Sequence, residues 1–357
     1  MLLGALLVLL SGEISPVDAA SAINPDVMIF LAGMFVIGEA MRESGYLFHL
    51  FNRIFCRAKN LDQLLLLILF AMGFLSALLM NDTLAIIGTP LMLYLAQALR
   101  ISPKLLLLTL AFAVTTGSAM SPIGNPQNLL IAINGSLTNP FLVFFQYLFI
   151  PTVANLVLAY LLLRLFYKSQ FQQTAIEIPK ECISDPTLAN ISRISIILLL
   201  ILILAKVLAV TVQSSQHFSL TYIAIFSALP VILFSSRRWE IMKHIDWCTL
   251  VFFAAMFVLM DSVWRSGFFQ SMMEESSLGF GSIPVILALS VFLSQIISNV
   301  PFVALFQPLL INPSARDLMA LAAGSTIAGK LFILGAASNV IIIQNAEKSG
   351  ETLTFLD

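Results

Sequence analysis

Charged residues are scarce in this chain. Lys, Arg, Asp and Glu make up 10% of its 357 residues, against about a quarter in a soluble domain. Neither sign dominates, because 18 Lys and Arg face 19 Asp and Glu for a net charge of −1. No basic patch interleaved with aromatics exists, which excludes nucleic-acid binding. Cysteine is equally sparse. Cys56, Cys182 and Cys248 are scattered and form neither a disulfide framework nor a metal-ligand spacing. His49, His217 and His244 are dispersed too and read as interface residues. No Gly-Lys-Ser/Thr phosphate loop occurs, so the chain carries no ATP-driven motor of its own, although a partner ATPase stays open. No nucleophile–base pair or metal cluster marks an enzyme, and no cofactor is expected beyond a coupling ion. No Lys or Arg precedes Arg42, so the apolar amino terminus lacks the basic region of a signal peptide and reads as a retained helix.

What is present is apolar. Hydrophobic residues make up 59% of the chain and the mean hydropathy is +0.97. This implies an all-α polytopic membrane protein. Apolar runs of about 20 residues mark spanning helices. They are expected near Leu2–Ile14, Val27–Met41, Pro140–Phe166, Ile194–Val212, Leu220–Phe234 and Ile245–Val263. Four further apolar segments carry polar interruptions. Lys104–Asn134 holds Gly117-Ser118-Ala119-Met120-Ser121-Pro122-Ile123-Gly124-Asn125-Pro126-Gln127-Asn128, and Leu318–Asn345 holds Gly335-Ala336-Ala337-Ser338-Asn339. Both read as discontinuous helices. Proline and glycine break the helical ladder, and such backbone survives at membrane depth only when buried in protein or lining a wet cavity. Leu61–Leu99 is interrupted at Met80-Asn81-Asp82-Thr83, and Ser282–Ile311 at Ser298-Asn299-Val300-Pro301. These read as re-entrant hairpins with polar tips; for the first, two full spans joined by a tight turn is the alternative.

The halves repeat. Met34-Phe35-Val36 through Ser44-Gly45 recurs as Met256-Phe257-Val258 through Ser266-Gly267, with Glu39 matched by Asp261. A hairpin tip and then a broken helix follow in each half, and both breaks place Gly and Asn four residues apart. Positive-inside counting puts all Lys and Arg on one side except Arg265, Arg316 and the in-span Lys206 and Lys330. On that count the copies are inverted. The expected organisation is a first repeat over 1–167, a cytoplasmic linker over 168–193 and a second repeat over 194–357. The second half has no counterpart of Pro140–Phe166, so its final helix is expected to be absent. Inverted repeats with paired broken helices point to a secondary transporter.

At these hairpins and breaks the chain resembles the ion transporter superfamily, its citrate-transporter-like domain. That group includes divalent anion/sodium symporters, arsenite permeases and D-type sodium/proton antiporters, and the resemblance runs over essentially the whole chain. It implies a homodimer in the cell (plasma or inner) membrane, with a scaffold part and an elevator-like mobile part. In the dicarboxylate symporters the tips read Ser-Asn-Thr. Here they read Met80-Asn81-Asp82 and Ser298-Asn299-Val300, so both asparagines match and both threonines are missing. Asp82 opposes a dicarboxylate unless it is protonated or paired with a cation. The Asn-Asp tip followed by Thr89-Pro90 looks more like the arsenite permeases. Before the second break the chain reads Lys330-Leu331-Phe332 where relatives carry small polar residues. Lys330 would take the place of a cation, pair with an acid such as Asp82, or mark a lost ion site.

The expected function is secondary active transport of a small anion coupled to Na⁺ or H⁺. A cation/proton antiporter, an arsenite-type permease and an inactive truncated member are the alternatives. Na⁺ suits amide, hydroxyl and carbonyl oxygens, and half-helix N-termini suit an anion. The candidate binding residues are Asn81, Asp82, Thr83, Gly117, Ser118, Gly124, Asn125, Asn128, Ser298, Asn299, Gly335, Ser338 and Asn339. Na⁺ is expected near Asn81, Gly117 and Asn128, and Asp82 and Lys330 are the coupling candidates.

Overall fold

The computed structural model describes residues 1–172, 185–211, 219–275, 281–331 and 335–353. Among them every long element is an α-helix: α1 (Leu2–Leu10), α2 (Pro16–Ala22), α3 (Pro25–Glu43), α4 (Tyr46–Phe55), α5 (Leu61–Leu79), α6 (Asn81–Leu99), α7 (Pro103–Ser118), α8 (Pro126–Asn134), α9 (Pro140–Phe166), α10 (Pro186–Thr211), α11 (Leu220–Phe234), α12 (Arg238–His244), α13 (Trp247–Arg265), α14 (Phe268–Glu275), α15 (Ile283–Ile297), α16 (Asn299–Phe306), α17 (Ala315–Ala328) and α18 (Ala337–Lys348). Of the expected spans, α9 and α11 coincide residue for residue, whereas α10 begins at Pro186, eight residues before the expected Ile194 and within the expected linker. Part of the 168–193 linker, 173–184, lies outside the described residues, as does Phe332.

Five of these helices (α5, α6, α9, α13 and Pro186–Ala209 of α10) are long and apolar enough to cross a membrane. α2 and α3 together make a sixth, bent by 57°. The outer faces of α9 and α10 are apolar: Phe145, Ile150, Leu161, Phe166, Ile201 and Leu204 are all exposed. Water would not tolerate such a continuous surface on a folded chain, whereas hydrocarbon does. The protein is therefore a multi-pass membrane protein.

Short helices occupy what the sequence offered as loops. In the basic stretch after α3, Leu47, Phe51 and Phe55 are buried at four-residue spacing on α4, one face of a helix. Charge pattern alone conceals that face. The Ser-Gly pair of the sequence repeat builds the same turn twice. Ser44 and Ser266 donate their hydroxyls to Met41 and Val263 carbonyls and accept from the N–H of Tyr46 and Phe268. Gly45 (φ 70°) and Gly267 (φ 72°) then take the left-handed conformation that glycine adopts without strain.

α3 is the central scaffold helix, packed on α10, α11, α12 and α13, with Phe30, Leu31, Met34 and Ile37 fully buried. The broken elements gather beside it. α7 packs between α5 and α6, and α17 against α15 and α16. The second halves then cross over, α8 packing on α16 and α18 on α6. At the α5–α7 crossing a Cβ on Gly117 would strike the Gly73 backbone. Gly117 therefore permits close helix approach. Gly117→Ala is expected to lower stability by about 1–3 kcal/mol, the usual range for overpacking. Thermal unfolding of the purified protein in detergent measures it.

Candidate functional site

The site begins at two helix junctions. α5 passes into α6 at Met80 (φ 68°, ψ 142°) and α15 into α16 at Ser298 (φ 71°, ψ 161°). Both are non-glycine residues with positive φ, a strained choice that surrounding structure must hold in place. Each makes the next residue, Asn81 or Asn299, the first of a new helix. Neither helix start has a side-chain cap. The tip of the first junction is buried, Asn81 at 6% and Asp82 at 4% exposure, so it is no solvent loop. Instead it docks on the break between α7 and α8. The Asn81 N–H donates to the Gly124 carbonyl at 2.9 Å, and Asn81 Nδ2 reaches Ser338 Oγ at 3.4 Å, on α18. Ser338 Oγ also lies 3.4 Å from Thr115 Oγ1. One serine thus joins the second break to the first junction and to α7.

The breaks are held by asparagine. Asn125 caps α8 by accepting from the Asn128 N–H at 2.8 Å, with Pro126 at the first helical position, the sequence logic of a helix start. Asn125 Nδ2 donates to Ser118 Oγ at 3.1 Å. Asn128 Nδ2 is shared by the Ser118, Ala119 and Ser121 carbonyls at 3.3, 3.2 and 3.0 Å, acceptors at and just past the end of α7. In the second break, Asn339 Nδ2 donates to the Gly329 carbonyl at 2.7 Å. Ser118 lies as far before Asn128 as Gly329 lies before Asn339. Gly124 and Gly335 pass close to the Ser118 and Ala328 carbonyls, where a Cβ would collide. The second break differs in one respect: Ala336 gives α18 no side-chain cap.

These pieces enclose a cavity of about 500 Å³. The first turns of α6, α8, α16 and α18 all reach it, through Asn81 and Asp82, Pro126 and Gln127, Asn299, and Ala337. Four helix N-termini, each worth about half a positive charge, therefore border one space. Asp82 Oδ1 and Asn299 Oδ1 are buried there without a hydrogen-bond partner among the described residues, and Asn128 Oδ1 is likewise unpartnered. Unpaired buried oxygens are costly and suit a bound cation or donor. No basic side chain is among the cavity's lining residues.

Several candidate residues fall elsewhere. Thr83 fits against Gly38 and lines a second cavity. Gly117 seats α7 against the Gly73 backbone, and Ser118, Asn125 and Asn128 hold the break together. Lys330 does not meet Asp82. It borders a separate small cavity of about 30 Å³ with Thr116, Asn155 and Thr326, and neither residue forms an ion pair among the described residues. Of the three readings open for Lys330, pairing with Asp82 is the one this arrangement does not contain. Gln127, Cys248, Thr249 and Phe253 line the main cavity and were not singled out. For α13 the available signal was Asp246-Trp247-Cys248-Thr249, a polar start to an otherwise apolar span.

Asn128→Ala removes the one amide nitrogen shared by three backbone carbonyls, an expected loss of about 1–3 kcal/mol in stability. Asn125→Ala should match it in direction, whereas Asn155→Ala, which bonds only the Pro151 carbonyl of its own helix, should change little. Parallel melting curves in detergent decide this.

Known proteins resemble this chain along nearly all of its length. A membrane protein of 46 kDa from Mycobacterium leprae is 25% identical over 94% of this chain and 81% of its own. An uncharacterised transporter of Mycobacterium tuberculosis is 27% identical with the same coverage. The P protein of Mus musculus is 23% identical, again over 94% of this chain but 51% of its own longer sequence. Residues 1–328 match the family model described as citrate transporter. With helices enough to cross a bilayer several times and broken helices around a polar cavity, the chain belongs to the citrate transporter family.

Proposed function

We propose that the protein is a secondary active transporter that carries a small anion together with Na⁺ or H⁺ through the cavity between the two helix junctions. The observation that supports this most is the convergence of the α6, α8, α16 and α18 N-termini on a space that also holds the unpartnered Asp82 carboxyl. Helix N-termini favour anions. A buried carboxylate needs a proton or a cation beside it, and the Asn81, Asn299 and backbone oxygens offer hard ligands for Na⁺. Cation and anion then neutralise one another in transit, without basic side chains in the wall. The twice-built Ser-Gly turn, the matched positive-φ junctions and the crossed packing of α8 on α16 and α18 on α6 support two inverted repeats, each with a re-entrant hairpin and a discontinuous helix. In this reading the 168–193 linker is cytoplasmic, the membrane is the cell membrane, and the transporter is a homodimer with an elevator-like moving part.

A second reading is a cation/proton antiporter. It is favoured by Asp82 standing in the first turn of α6, where the N-terminal field can serve its own carboxylate and leave the cavity to a cation.

Flux into proteoliposomes tests both. Asp82→Asn is expected to reduce Na⁺- or H⁺-driven anion uptake by roughly 5- to 150-fold, the span of usual coupling energies, with an unchanged melting temperature. Anion uptake that persists in wild type without Na⁺ or proton gradients would remove the coupled mechanism. Proton-driven Na⁺ flux with no anion movement, abolished by Asp82→Asn, would establish antiport instead.

A further inference from the structure

A second cavity, of about 550 Å³, adjoins the first. Cys248, Ile341 and Gln344 line both, so these three residues stand between the two cavities. Its character is different. Arg42, Lys243, His244 and Lys348 border it, opposed by Glu39 and Asp246. Two of these charges are already matched. Arg42 holds Glu39 through two bonds of 2.9 and 2.6 Å and touches Glu43 at 3.1 Å. Glu43 in turn pairs with Arg237 at 2.8 Å. Asp246 accepts from the Thr249 N–H and hydroxyl at 2.9 and 2.6 Å. Lys243 and Lys348 are exposed and have no carboxylate partner among the described residues. Two unmatched ammonium groups therefore face one carboxylate in a recess walled by protein. Such recesses focus field lines and raise the local concentration of oppositely charged ions.

We propose that this second cavity is an anion-collecting antechamber, in which Lys243 and Lys348 concentrate small carboxylate or inorganic anions at the mouth of the deep cavity. It rests on the reading of the deep cavity as the transport site, and it locates the anion selectivity of that site in a different place. The deep cavity has no basic side chain in its wall, so discrimination by charge happens before the anion reaches Asp82. Both lysines belong to the face rich in Lys and Arg, so the antechamber serves the cytoplasmic opening.

Cys248 stands where the two cavities meet and is exposed, which makes it a native reporter of the potential there. In a Cys56→Ser/Cys182→Ser background, Cys248 is labelled with a sulfonate-bearing and a trimethylammonium-bearing methanethiosulfonate of similar size. Wild type should favour the anionic reagent at low ionic strength. Lys243→Gln/Lys348→Gln should reduce that preference about fivefold, and about 0.5 M salt should erase it. A neutral methanethiosulfonate should react at the same rate in both proteins, and the single variants, each with a partial effect, report independently should the double variant fold poorly. A reagent preference that the two substitutions leave unchanged overturns the antechamber. Citrate uptake adds a separate readout: the double variant should raise KM several-fold with kcat unchanged, and an unchanged KM in a citrate-carrying protein also overturns the proposal. A wild type that moves no anion yet labels with lysine-dependent charge preference leaves the antechamber standing and removes the transport reading.

Discussion

Breaking a helix inside an apolar bundle exposes carbonyls and N–H groups to surroundings that offer no water, and this constraint shapes the protein. Each break must find its partners within the chain. The solution is the side-chain amide. Asn128 serves three carbonyls at the end of α7, Asn339 serves Gly329, and Gln295 serves Ala328 at 2.6 Å. An amide is well suited because its nitrogen donates twice and leaves an oxygen over. The oxygens of Asn128 and Gln295 are the ones left buried and unpartnered. The groups that stabilise the breaks thus also furnish oxygen atoms able to coordinate an ion. Structure and binding chemistry come from one residue type, which is why a chain so poor in charge can still build a polar centre.

The two breaks answer this constraint unequally. The first is closed: Asn125 caps α8, Asn128 ties back to α7, and the Asn81 N–H covers the Gly124 carbonyl. Among the described residues the second is held by Asn339 on Gly329 and Gln295 on Ala328, with an uncapped α18 and a lysine just past the end of α17. Lys330 follows the end of α17, and its side chain borders the small cavity with Thr116 and Thr326. The local chemistry of the two breaks differs accordingly.

Much of this was legible in the sequence because membrane helices announce themselves by composition. α9 and α11 were bounded to the residue, and the breaks at Gly117–Asn128 and Gly335–Asn339 were visible as polar runs in apolar stretches. Helix α4 was not, since its buried Leu47, Phe51 and Phe55 sit among the arginines that marked a loop. The roles of the polar residues were legible only as a group. Nothing in Gly117 distinguishes a wall of an ion site from a seat for Gly73, because that depends on which helix crosses there. The sequence leaves Lys330 three readings, pairing with Asp82 among them, because it does not say that α17 ends beside α7 and α9. Cys248 and Thr249 were hidden for the opposite reason: an ordinary span carries them to the cavity without any break to flag them.

Charge placement connects these features to transport. Lysines in the deep cavity would hold an anion firmly, and a firmly held anion is not released on the far side. Four helix ends give a diffuse positive field that anchors no single oxygen, and Asp82 opposes multivalent anions unless a cation or proton accompanies them. Moving the lysines outward to the antechamber separates attraction from binding. Attraction raises the encounter rate and fades with distance and salt, while in the proposed mechanism binding at the junctions depends on a coupling ion. An anion drawn in by Lys243 and Lys348 would then meet a site it can occupy only in company, which is the condition for one gradient to drive another.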